Sequence, residues 1–179
     1  MNKKVILHAC CAPCASYPIK KLIEDNYEPI VYFYNPNIFQ QKEYNIRKDE
    51  LNEYCAKNNI YFFEEEYQPE EFYEKIKGFE NEPEKGKRCE ICFYLRLLKT
   101  AQYAKKNNIS LFTTTLTVSP HKNSKCIFTI AKEIEKETGI NFLEYDFKKN
   151  DGFKISRQIA KENNMYAQNY CGCKFSIRN

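Results

Sequence analysis

No stretch of the 179-residue chain approaches the ~18 consecutive apolar residues of a membrane span, so a bilayer-crossing helix is not expected. At the N-terminus Lys3 and Lys4 precede only Val5-Ile6-Leu7, which is too short for a secretory signal core. Cys10 also falls too early for the lipoprotein-type cleavage that Leu7-x-Ala9-Cys10 mimics. These absences read as a cytosolic chain with no membrane partner. Glycine is sparse, five in all, and none builds a G-x-G-x-x-G, Walker or other Gly-rich phosphate loop after the first strand. The usual nucleotide-binding signatures are thereby excluded, and cysteines stand where those glycines would be. No internal repeat and no low-complexity linker breaks the chain, so residues 1–179 read as one compact domain.

What is present is apolar and aromatic: 42% hydrophobic residues, with 14 Tyr and 13 Phe, too many for a disordered chain. Nine cysteines are an odd number and too dilute for a small disulfide scaffold. In the cytosol, clustered thiols stay reduced and point to metal binding or redox work.

Val5 to Ala9 reads as a strand running into Cys10-Cys11-Ala12-Pro13-Cys14, with Ser16 ahead of a helical segment from Tyr17 to Asn26. Pro29 to Tyr34 is a second strand, ended by Asn35-Pro36-Asn37, and Glu43 to Lys57 a second helix. Ile60 to Glu64 and Glu70 to Lys77 repeat the pair, and a polar loop from Gly78 to Lys87 leads to the strongest helical pattern, Cys89 to Lys106. Ile109 to Thr114 is a fourth strand and Leu116 to Asn123 a loop. Ser124 can cap a helix that Gly139 ends, Asn141 to Phe147 is a fifth strand, and a last helix spans Ser156 to Asn164 before the tail Met165 to Asn179. The alternation predicts an α/β fold: a mostly parallel five-stranded sheet with helices on both faces and a Cys-rich C-terminal tail. Ligands of such sheets sit at the carboxyl ends of the strands, where the Cys10–Cys14 turn follows the first.

Seven cysteines fall in three clusters, Cys10-Cys11-x-x-Cys14, Cys89-x-x-Cys92 and Cys171-x-Cys173. Cys55 and Cys126 stand alone on helices and read as packing residues. C-x-x-C pairs from distant segments can converge on an iron-sulfur cluster or a tetrahedral zinc, or can serve thiol-disulfide redox. Spacing alone leaves the three open, although no thioredoxin-like sequence surrounds either pair. Charge is segregated as well. Residues 64–84 hold nine Glu against two Lys, whereas residues 85–130 hold nine Lys or Arg against Glu90 alone. The acidic run reads as a solvated face, and the basic stretch, interleaved with Phe93, Tyr94 and Tyr103, is compatible with RNA contacts.

Six motifs in order resemble the QueH family of epoxyqueuosine reductases: His8-x-Cys10-Cys11-x-Pro13-Cys14, Tyr32-Phe33-Tyr34-Asn35-Pro36-Asn37-Ile38, Glu43-Tyr44-x-x-Arg47, Arg88-Cys89-x-x-Cys92-x-x-x-Arg96-Leu97, Phe112-Thr113-Thr114-Thr115-Leu116-x-x-Ser119-Pro120 and Tyr170-Cys171-Gly172-Cys173. The resemblance implies a Rossmann-like fold related to the adenine nucleotide alpha-hydrolases and PP-loop proteins. It also implies two-electron, two-proton reduction of epoxyqueuosine at the tRNA wobble position to queuosine, the epoxide oxygen leaving as water. The implied cofactor is a [4Fe-4S] cluster without cobalamin, held by Cys10, Cys11, Cys89 and Cys92. Cys171 and Cys173, with Cys14 nearby, would hold a second iron or form a redox dithiol. His8, Tyr34, Tyr94 and His121 are candidate proton donors.

The implied partners are the anticodon stem-loop and an electron donor that the sequence does not identify. Arginine is scarce, five against 23 lysines, so Arg47, Arg88 and Arg96 point to fork geometry for phosphate, or to internal salt bridges. Lys85, Lys87, Lys105, Lys106, Lys122 and Lys125 are the expected phosphate contacts. A zinc-stabilised RNA-binding module and an iron-sulfur PP-loop-like tRNA thiolase are the alternatives, the second lacking an ATP loop after strand one.

Overall fold

The structure, a computed structural model, describes residues 3–177. Five strands, β1 (Lys3–His8), β2 (Tyr27–Phe33), β3 (Tyr61–Glu64), β4 (Leu111–Thr114) and β5 (Asn141–Phe142), form a parallel sheet in the order β3-β2-β1-β4-β5. The helices between them are α1 (Ala12–Glu24), α2 (Gln41–Lys57), α3 (Pro69–Lys75), α4 (Lys87–Lys106) and α5 (Ser124–Thr138), and α6 (Gly152–Glu162) follows β5. The expected α/β arrangement is present, with helices on both faces.

β1 is central because its apolar run can be buried on both sides at once. Ile6 joins Tyr32 and Phe112 in a core with α4 and α5, whereas Val5 and Leu7 join Val31 and Phe33 in a second core with α1 and α2. From β1 the chain steps to β2 and β3 on one side, and α4 then carries it back across to β4 on the other. That reversal opens a crevice between the carboxyl ends of β1 and β4, the place where open parallel sheets bind ligands. Among the described residues, no helix is long and apolar enough to cross a membrane.

Several boundaries differ from expectation, each for an identifiable physical reason. α1 starts at Ala12 rather than after Ser16: Pro13 is pre-set for a first helical turn, and the Ser16 hydroxyl bonds the Pro13 carbonyl at 3.0 Å inside the helix. α5 begins at Ser124, but its cap is Asn123, whose side chain accepts from the Lys125 and Cys126 amides, while the Ser124 hydroxyl donates to Asp146 at 2.8 Å. β5 stops at Phe142. Beyond it the Thr113 and Thr117 hydroxyls take the Leu143 and Tyr145 carbonyls, replacing the ladder. α6 begins at Gly152, where a Cβ would lie 1.7 Å from the Phe147 carbonyl oxygen and 2.6 Å from the Tyr17 ring on α1. Only glycine lets the helix start that close.

The C-terminal cysteines do not form a distinct appendage, and the last two residues of the expected tail lie outside the described chain. The Phe39 amide donates to the Gly172 carbonyl at 2.8 Å, and Arg47 donates to the carbonyls of Cys171 and Tyr170 at 3.1 and 3.2 Å. Gly172, at φ +138°, takes a backbone conformation that a side chain rarely adopts, packed against Asn37, Ile38 and Arg47. The segment is tied down over the carboxyl end of the sheet.

Candidate functional site

β1 ends in a turn that feeds α1 directly, with Cys11 as the extended N-cap residue and Cys14 on the first helical turn. This geometry converts the Cys10-Cys11-x-x-Cys14 spacing into a triad. The three Sγ atoms all lie within 4.8 Å of one another, those of Cys10 and Cys11 3.9 Å apart. Cys10 and Cys11 are buried and Cys14 is half-buried. Hydrogen bonds from the Cys11 and Cys14 thiols hold Cys10 well below the usual thiol range against its burial, helped by the charges of Lys122 and Arg96. Cys11 is correspondingly pushed up, and Cys14 rises to about 12, chiefly through its hydrogen bond to Cys10. Of the three, Cys10 is the thiol that the surroundings favour for deprotonation. Three convergent sulfurs can ligate a metal ion.

A cavity of about 490 Å³ opens beside the triad at the crevice. Cys10 lines it from the β1–α1 turn and Cys14 from α1, Cys89 and Cys92, one turn apart, from α4, and Cys171 and Cys173 from the C-terminal segment. Burial pushes Cys89 up, and Cys92 to about 12. Six of the seven clustered cysteines therefore share a wall, and Cys11 stands behind them, accepting from Gln168 Nε2 at 2.8 Å. The tight group of sulfurs is Cys10, Cys11 and Cys14, and Cys171 and Cys173, which the resemblance sets near Cys14, line the same cavity. Cys55 is fully buried in the α1 and α2 core, as expected of a packing residue. Cys126 differs: it is half-buried and lines the cavity. On α5 it lies beyond the reach of sequence spacing, since only the α4–α5 packing brings it there.

The candidate proton donors separate sharply. His8 is buried, its ring nitrogens 3.1 Å from Thr114 Oγ1 and 3.2 Å from the Tyr34 carbonyl. Burial, with the Arg96 charge, lowers its pKa to about 4. The Tyr34 hydroxyl donates to Glu71, and that of Tyr94 to Glu137 at 2.6 Å. None of the three lines the cavity; His121 does.

The arginines are buried. Arg47 pairs with Glu43 at 2.7 Å and clamps the C-terminal segment; Arg88 donates to the Glu80 and Glu82 carbonyls and lies over the Phe175 ring at 4.4 Å. These two forks hold protein backbone. Arg96 is 2% exposed and bonds only the Cys92 carbonyl, with Nη2 unpartnered and no carboxylate pairing among the described residues. Of the expected phosphate contacts, Lys85 and Lys122 line the cavity. Lys87 pairs with Glu90, and Lys125 is exposed away from the lining. Lys105 and Lys106 occupy the last turn of α4, about 13 Å along the axis from Arg96. Burial opposes the charge on Lys122, but Cys171, Cys10 and Cys14 outweigh it and raise its pKa.

Sequence reading passed over Asn37, Gln168, Phe153 and Arg157, all of which line the cavity. Asn37 sits inside a recognised motif and Gln168 beside one, which was the signal to follow, while their unpartnered buried oxygens emerge only in the fold. α6 offered none.

Fold and site together define an α/β protein with a metal-capable thiol triad at the reversal point of a parallel sheet. The profile of the epoxyqueuosine reductase QueH family matches residues 5–179. Epoxyqueuosine reductase QueH of Acinetobacter baylyi is 38% identical over 98% of this chain and 81% of its own, that of Streptococcus pyogenes 38% over 99% and 72%, and that of Thermotoga maritima 35% over 97% and 90%. The chain belongs to the QueH family and is an enzyme of the oxidoreductase type. Its fold is also that of the U34-tRNA thiolase NcsA from Methanococcus maripaludis, solved with its [4Fe-4S] cluster, at a TM-score of 0.58 and 12% identity. That match covers 99% of this chain and 62% of the thiolase.

Proposed function

We propose that the protein reduces epoxyqueuosine at the wobble position of a tRNA anticodon to queuosine, taking up two electrons and two protons and releasing the epoxide oxygen as water. The observation that carries this reading, beyond family membership, is the cavity of about 490 Å³ walled by six clustered cysteines, a volume suited to one nucleoside turned out of its strand. The fold likeness to NcsA supports the Rossmann-like, PP-loop-related architecture, and at 12% identity it says nothing more.

The residues fit a metal centre. Arg96 is a buried cation without a carboxylate among the described residues, placed where anionic thiolates would balance it. Such a centre supplies low-potential electrons or an open Lewis-acid position for the departing oxygen. Two ligand sets are open to test. The triad favours a mononuclear ion on Cys10, Cys11 and Cys14: sulfurs about 2.3 Å from one tetrahedral ion lie about 3.8 Å apart, close to the 3.9 Å between Cys10 and Cys11. The family reading instead places a [4Fe-4S] cluster on Cys10, Cys11, Cys89 and Cys92, with a second iron or a dithiol at Cys14, Cys171 and Cys173.

The chain's own groups would do the rest. Lys122 keeps a proton on Nζ at the cavity wall, and the His121 ring offers a second donor to the oxygen. Arg47 and Arg88 hold the C-terminal segment so that Cys171 and Cys173 stay on the cavity.

The test is anaerobic purification, quantitation of iron, sulfide and zinc, and incubation with epoxyqueuosine-containing tRNA and a chemical reductant. Queuosine is the expected product. Iron with matching sulfide selects the cluster, and one metal without sulfide selects the mononuclear triad. A colourless zinc protein that binds RNA and forms no queuosine would replace this reading with that of a zinc-stabilised RNA-binding module.

A further inference from the structure

Phe153 is 40% exposed, yet it belongs to neither hydrophobic core and lines the cavity. Its position follows from how α6 is seated. The buried residues Gly152, Ser156 and Ala160, at every fourth position, are small and bring the helix close against its neighbours. Gly152 admits no side chain there, which fixes the helix start. The adjoining stripe, Phe153 and Arg157, is thereby turned to the cavity from a rigid support. Arg157 is exposed and has no carboxylate partner among the described residues. Ser156 between them also lines the cavity, and its buried hydroxyl has no partner among the described residues.

Charge selects the occupant. Five Lys or Arg side chains line the cavity against two Glu. A face with one unsupported aromatic ring and a free guanidinium one turn away matches a single-stranded polynucleotide, which offers a flat base to the ring and a phosphate to the fork. An acidic peptide would use the charge but would leave the ring without a partner.

We infer that Phe153 and Arg157 form an RNA-holding wall on α6. Phe153 stacks on a base neighbouring the nucleoside that enters the cavity, and Arg157 contacts the adjoining phosphate. This rests on the RNA substrate proposed above and adds the subsite that positions the strand.

The experiment uses the metal-loaded protein and an anticodon stem-loop bearing epoxyqueuosine, with affinity read by fluorescence anisotropy and metal content measured on every variant. Phe153→Ala and Phe153→Leu should each weaken binding by about tenfold with metal content unchanged, while Phe153→Tyr should bind as the wild type does. Replacing the neighbouring base with an abasic nucleotide should bring the wild type and F153A to equal affinity. Arg157→Gln should lower the slope of log affinity against log salt by about 1. Unchanged affinity in F153A, wild-type affinity in F153L, or an equal loss on the abasic RNA overturns the stacking wall. If the wild type turns over the stem-loop and F153A matches it in Kd and KM, only the wall falls. If the wild type neither binds nor reduces the stem-loop, the functional reading falls and takes the wall with it.

Discussion

Arg96 faces the thiols from α4 with a single acceptor, the Cys92 carbonyl at 3.2 Å. Burial opposes the charge on this guanidinium, and the sulfurs it faces, those of Cys92, Cys171 and Cys10, outweigh that penalty. Replacing it with the neutral Arg96→Met should weaken metal affinity by about 10- to 100-fold, as loss of an outer-sphere partner does. Arg96→Lys should recover part of it, and chelator competition measures both. Cys55 supplies the contrast. It lies in the opposite core, and Cys55→Ala should cost about 1 kcal/mol in denaturant unfolding and leave metal content intact. Spacing separates these residues in part: six of the seven clustered cysteines line the cavity, Cys11 stands behind it, and Cys55 lies in the opposite core. Cys126 shows where that logic ends. Its place on the cavity depends on how α5 packs against α4, which no spacing within α5 encodes.

At the scale of elements, the strands and helices were legible wherever apolar periodicity was strong and local, as in β1 and α4. The start of α1 was misplaced by a local proline signal, and β5 and α6 where contacts with distant segments decided the boundary. α6 starts at Gly152 because of Phe147 and Tyr17, contacts invisible to a local pattern. Gly152→Ala should therefore destabilise the fold by about 1–3 kcal/mol through overpacking, read as a lower midpoint in urea unfolding. α5 depends on a side chain just outside it: Asn123 accepts from the amides of Lys125 and Cys126. Asn123→Ala should cost about 1 kcal/mol, measured in the same way.

Over the whole molecule, the basic stretch that runs from residue 85 divides in two. Lys85 and Lys122 stand at the cavity while Lys105 and Lys106 sit at the far end of α4. With about three phosphate contacts from Lys85, Lys122 and Arg157, stem-loop affinity should fall by about 20-fold between about 50 and 200 mM salt. Titration at several salt concentrations checks the slope. The Arg47 clamp and the Phe39–Gly172 bond join the C-terminal cysteines to the sheet end, so a metal held there would bind the folded chain, and chelator treatment of metal-loaded protein should lower the thermal midpoint in calorimetry. The sequence by itself determined the strand and helix alternation, the parallel sheet, the separation of clustered from solitary cysteines except at Cys126, and the family, because each of these is written in local periodicity or in motif spacing. Only the tertiary structure decided that Cys10, Cys11 and Cys14 form the tight group, that Arg47 and Arg88 grip backbone, and that Phe153 and Arg157 reach the cavity. Those outcomes depend on which distant segments the β1–β4 reversal brings together, and burial at that junction, not residue type, sets what each side chain can meet.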